Sequence, residues 1–94
     1  MVDAVECFLS GAAARCADTQ GVLARFYCQG KCGRYVLSHV AMDHIESQVL
    51  KDTWATQAAL DQAGGWILLL RFEDGQLKRE RITPDDKVWS ETPW

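Results

Sequence analysis

Hydrophobic and polar positions change their spacing several times along the chain, and each change marks a predicted element. Val5, Phe8, Leu9, Ala12 and Cys16 recur at helical spacing behind Asp3 and Glu6, a pair separated as in a capping box. That spacing predicts an N-terminal helix over about residues 4–17, with Cys16 on its apolar face and Cys7 on the opposite side. Gly11 falls inside this helix, at a cost of ~1 kcal/mol relative to alanine.

Beyond Gly21 the pattern turns to aromatic and β-branched residues. Val22 to Cys28 and Arg34 to Val40 flank Gln29-Gly30-Lys31-Cys32-Gly33, which predicts a hairpin with a five-residue loop. Met42, Ile45, Val49, Thr56, Ala59, Leu60 and Ala63 then share one helical face, ending at Gly64-Gly65. Asp52 interrupts that stripe and Thr53 offers a new start, so one long helix and two shorter ones both fit. Leu50, Trp54 and Ala58 stack on the opposite side and give the helix a second apolar face. The run Trp66 to Phe72, the turn Asp74-Gly75 and the return Gln76 to Thr83 predict a second hairpin. Its outgoing strand is apolar on both faces and suits the middle of a sheet, whereas Lys78-Arg79-Glu80-Arg81 suits a charge-protected edge. Pro84 and Pro93 bracket a tail.

These elements predict an α+β domain spanning residues 1–94: a small antiparallel sheet of about four strands, made of two hairpins, with the N-terminal helix and the helical connection packed on it. A chain of 94 residues has room for one core. Composition changes this picture little. A formal net charge of -3 argues against a surface built as a whole to attract nucleic acid. The first nine residues carry no basic flank, and no apolar run approaches membrane-spanning length, so the expected location is cytoplasmic with no membrane partner. In that compartment Cys7, Cys16, Cys28 and Cys32 are expected as thiols or metal ligands rather than disulfides.

Candidate chemistry concentrates between Cys28 and His44. Cys28, Cys32, His39 and His44 offer two sulfur and two nitrogen donors, the set that completes a zinc tetrahedron, and one structural zinc ion would staple a small core. Cys7, lying off the predicted core face, is a substitute for one histidine. Reduced thiols on a loop, with histidines on solvated faces, account for the same residues without a metal. Cys28 and Cys32 also suggest a thiol redox pair beside Lys31 and Arg34, whose charges favour thiolate. No nucleophile elbow, phosphate loop or HExxH motif occurs, and the chain is not read as an enzyme.

Lys31, Arg34, Arg71, Lys78, Arg79 and Arg81 are candidates for nucleic-acid contact, although Glu73, Asp74 and Glu80 offset the charge of their hairpin. Leu50, Trp54, Trp89 and Trp94 are candidates for contact with a protein, because tryptophan is enriched where interfaces desolvate large side chains. The function expected from the sequence is therefore a non-enzymatic binding or regulatory protein, of inhibitor or adaptor type, that occupies a surface of a larger protein. A homodimer is a special case of that reading. A zinc-stabilised nucleic-acid-binding module and a thiol redox protein are the alternatives.

Overall fold

A computed structural model describes residues 2–19 and 22–90. Trp94 lies outside the described residues. Strands β1 (Val2–Glu6), β2 (Ala13–Thr19), β3 (Leu23–Cys28) and β4 (Arg34–Ser38) are followed by helices α1 (His39–Asp43) and α2 (Gln48–Ala63). Strands β5 (Ile67–Glu73) and β6 (Gln76–Ile82) and a short helix α3 (Lys87–Ser90) complete the order. The α+β class holds, but the sheet is mixed and has six strands in the order β1-β2-β3-β4-β5-β6. Neighbours pair antiparallel except β4 and β5, which run parallel with Tyr35 opposite Leu68 and Leu37 opposite Leu70. A parallel pair needs a crossover, and α1 and α2 supply it.

The largest departure from the sequence reading is at the N-terminus, where a hairpin replaces the predicted helix over 4–17. Val5, Cys7 and Leu9 satisfy strand alternation as well as helical spacing, and short apolar patterns of this kind do not discriminate between the two. Gly11 breaks the tie: its φ of 79° belongs to a turn, closed by Gly11 N–H donating to Cys7 O and Cys7 N–H to Ala12 O. Strand β2 then lies against β3, with Ala14 opposite Cys28 and Cys16 opposite Phe26, a contact that no local pattern announces.

Both predicted hairpins form. The loop between β3 and β4 is closed by Cys28 N–H donating to Gly33 O, and Asp74 and Gly75 turn with φ of 53° and 79°, as a two-residue hairpin loop requires. The connection is two helices. Ser38 caps α1 and Ser47 caps α2, each hydroxyl accepting from an N–H in the first turn, and Gly64 closes α2.

The faces of α2 are the reverse of those predicted. Ala55, Ala58 and Asp61 are buried and Trp54 packs on the core, while Val49 and Leu60 are 75% and 63% exposed. Apolar residues surround this helix, so its pattern names no single inner face. The small side chains of Ala55 and Ala58 allow close approach to the sheet, and Trp54 fills the space beside them.

Alternation along the strands builds a core on each side of the sheet. Phe26, Tyr35, Leu37, Leu68 and Leu70 face the helices, while Val36, Ile67, Leu69 and Ile82 face Val88 and Trp89 of the C-terminal segment. Ile67 to Leu70 are buried on both sides, in keeping with a strand inside the sheet, and β6 is its charged edge. Among the described residues no helix is long and apolar enough to cross a membrane.

Candidate metal centre

Three cysteines meet at one end of the sheet. Cys7 follows β1, Cys28 ends β3 and Cys32 sits in the loop before β4. Their sulfurs all lie within 4.8 Å of one another, and all three residues are buried. Pairing brings them together: Glu6 is opposite Ala13 and Ala14 is opposite Cys28, so Cys7 and Cys28 emerge side by side at the same ends of β1 and β3.

Glycine shapes the two loops that close over the cluster. A Cβ on Gly30 would stand 3.0 Å from Ala12 Cβ and 3.5 Å from Cys28 Sγ, so only glycine lets the loops interlock without displacement. Gly33 has a φ of 65° and lies against Gln62 of α2, whose Oε1 accepts from both the N–H and the Nε of Arg34. Gln29 N–H donates to Ala13 O and ties the second loop to β2.

Polar groups aim at the sulfurs. Ser10 N–H donates to Cys7 Sγ at 3.4 Å, Gly30 N–H donates to Cys28 Sγ at 3.3 Å, and Ser10 Oγ lies 3.5 Å from Cys28 Sγ. A hydrogen bond links Cys7 and Cys32 at 3.8 Å, and the Tyr35 hydroxyl lies 3.0 Å from Cys7 Sγ. The bond from Cys32 holds the Cys7 thiol well below its ordinary value, to about 4, against the opposing effect of burial and with help from Ser10 and Tyr35. Cys32 is pushed up by the same bond and by burial. Burial, followed by the bond to Cys7, raises Tyr35. The polar groups around Cys7 favour its thiolate, the form in which sulfur binds a metal.

Of the metal ligands expected from the sequence, Cys28 and Cys32 are brought together and His39 and His44 are not. His39 opens α1 at the far end of β4, about five residues or ~16 Å of strand from the cysteine loop. His44 stacks on Phe72 with ring centroids 3.7 Å apart. Cys7 takes their place. Ser10 and Tyr35 were not legible as partners, because their proximity depends on the N-terminal hairpin. Of the suggested Cys28/Cys32 pair, Cys32 is hydrogen-bonded to Cys7 and Cys28 to Gly30 N–H.

The basic residues do not gather on one surface. Lys31 is exposed on the cysteine loop, Arg34 is held by Gln62, and Arg71 lies beside Glu80 on the face it shares with Lys78. Arg79 pairs with buried Asp61 of α2 at 3.3 Å, and Arg81 lies over the Trp66 ring. The described tryptophans are largely used internally. Trp54 packs on the helix-side core, Trp89 is buried beside Tyr27 on the other side, and Leu50 remains 38% exposed. A polar cleft of about 350 Å³ borders Cys7 between Glu6, Phe8, Ser10, Gln48 and Lys51. No family model, curated protein or solved structure matches this chain.

Proposed function

We propose that the domain is a small non-enzymatic binding module whose N-terminal half is fastened by one zinc ion held by Cys7, Cys28 and Cys32. The observation that carries this reading is the convergence of the three sulfurs within 4.8 Å from three separate points of the chain. Zinc bound to sulfur at ~2.3 Å in a tetrahedron sets its ligands about 3.8 Å apart. The Cys7–Cys32 separation is 3.8 Å, whereas a disulfide requires about 2.05 Å. Amide donors on Cys7 and Cys28 would carry part of the thiolate charge. The ion would join the loop after β1 to the loop before β4, a purpose suited to a sheet whose helices α1 and α2 pack mainly on β4 and β5.

The test is native mass spectrometry of protein purified without chelator, compared with its denatured mass. One zinc per chain is expected, lost in Cys7→Ser, Cys28→Ser and Cys32→Ser and retained in Cys16→Ser. A wild-type chain that folds fully and carries no metal after zinc is added overturns the reading.

A further inference from the structure

Three sulfurs leave one corner of a zinc tetrahedron to be filled, and the Ser10 hydroxyl lies beside the cluster. Oxygen at ~2.0 Å and sulfur at ~2.3 Å from a tetrahedral zinc lie about 3.5 Å apart. Ser10 Oγ lies 3.5 Å from Cys28 Sγ, and the Ser10 N–H donates to Cys7 Sγ at 3.4 Å. Ser10 thus touches two of the three cysteines, one through its hydroxyl and one through its amide. A neutral serine hydroxyl is a poor zinc ligand, absent from the donors that zinc ordinarily selects. Ser10 is also exposed, in contrast to the buried cysteines, and precedes Gly11, whose added Cβ would meet nothing within 4 Å. The cleft lined by Glu6, Cys7, Ser10, Gln48 and Lys51 borders the cluster on this side.

Resting on the zinc reading, we propose that this corner is an exchangeable position at which an exogenous small thiol binds the metal, with Ser10 as its displaceable placeholder. Sites with three protein ligands are those in which zinc accepts an outside ligand, whereas structural sites are closed by four. Three thiolates outweigh the charge of the dication by one, which makes the metal a weak acid toward water and favours a polarisable sulfur donor. The incoming thiol gives up its proton to solvent and its sulfur forms the fourth bond to the metal as Ser10 Oγ leaves. No electron is transferred.

The cleft narrows the class of thiol. Lys51 lies over the Phe8 ring with its ammonium 5.1 Å from the ring centre, and Glu6 stands on the same cleft. A cation and an anion on one cleft of about 350 Å³ match a small zwitterion, the arrangement of an amino-acid thiol.

Cobalt(II) in place of zinc makes the corner visible, because sulfur-to-cobalt charge transfer reports the number of thiolates. Titration of the cobalt-loaded full chain with L-cysteine is expected to raise this band saturably, with cobalt still on the protein after desalting. Ser10→Cys fills the corner from within and should abolish the response while binding cobalt tightly. Lys51→Gln should leave cobalt uptake intact and weaken cysteine binding about two- to fivefold, the range for an exposed charge contact. A cobalt-loaded chain whose spectrum ignores L-cysteine at millimolar concentration, or one that loses its metal to the thiol, overturns the exchange proposal and leaves the metal site standing. A folded chain that takes up no cobalt and no zinc overturns both.

Discussion

Zinc at the three-cysteine cluster should raise the stability of the chain by an amount set by the loop it closes. Cys7 and Cys32 are 25 residues apart in sequence, and cross-linking a loop of that length removes about 3.5 kcal/mol of chain entropy from the unfolded state. Mass action gives a similar figure: zinc at a thousand times its dissociation constant stabilises the folded state by about 4 kcal/mol. In a domain of this size each kcal/mol moves the midpoint by about 4–8 °C, so zinc should raise Tm by roughly 14–32 °C. Thermal unfolding followed by circular dichroism, with excess zinc and with chelator, measures the increment directly. Cys32→Ser tests its origin. That substitution places a hydroxyl where Cys32 is fully buried and so lowers the chelated midpoint on its own account. The zinc-dependent increment cancels this effect, and in the variant it should fall to a few degrees, while Cys16→Ser keeps the wild-type increment. An increment below about 4 °C in the wild type, or an equal increment in Cys32→Ser, refutes the reasoning.

Gly33→Ala should cost about 1–2 kcal/mol for its left-handed backbone, plus the displacement of Gln62, whose Cγ and Oε1 would stand 2.8 Å from the new methyl. Gly65→Ala has a similar φ but open space around it, so urea midpoints that fall equally in the two variants would argue against the Gln62 clamp. Removing the indole with Trp54→Ala should destabilise by about 2–4 kcal/mol, and Trp54→Phe by less than about 1.5, because the ring packs on the core while its Nε1 is buried without a protein partner. Urea unfolding that leaves Trp54→Ala unchanged would return this residue to the surface. His39→Ala and His44→Ala should keep one zinc per chain by native mass spectrometry, with His44→Ala losing about 1 kcal/mol of stacking on Phe72. Loss of the metal in either variant would restore the histidines as ligands.

Much of the C-terminal half was legible along the chain because its signals are local. Asp74-Gly75 dictates a tight turn, the run from Ile67 to Leu70 needs apolar cover on both sides, and Gly64-Gly65 ends α2 with Gly65 in the left-handed conformation at φ 83°. The loop from Gln29 to Gly33 was legible for the same reason. Residues 4–17 were not, since their spacing suits a helix and a strand alike, and the turn at Gly11 together with pairing to β3 separates the two. Neither was the inner face of α2, where close approach of Ala55 and Ala58 outweighs the larger area of Val49 and Leu60.

The candidate site divides along the same line. Sequence by itself determined that Cys28 and Cys32 share a loop, because four residues of hairpin leave them no freedom to separate. It placed His39 and His44 beside them on the strength of distance along the chain, and a strand of five residues carries His39 to the other end of the sheet. Tertiary structure alone decided that Cys7, Ser10 and Tyr35 belong to the site. Their approach depends on β1 pairing with β2 and β2 with β3, and a register shift of one residue would turn the inward-facing side chains to the opposite face of the sheet.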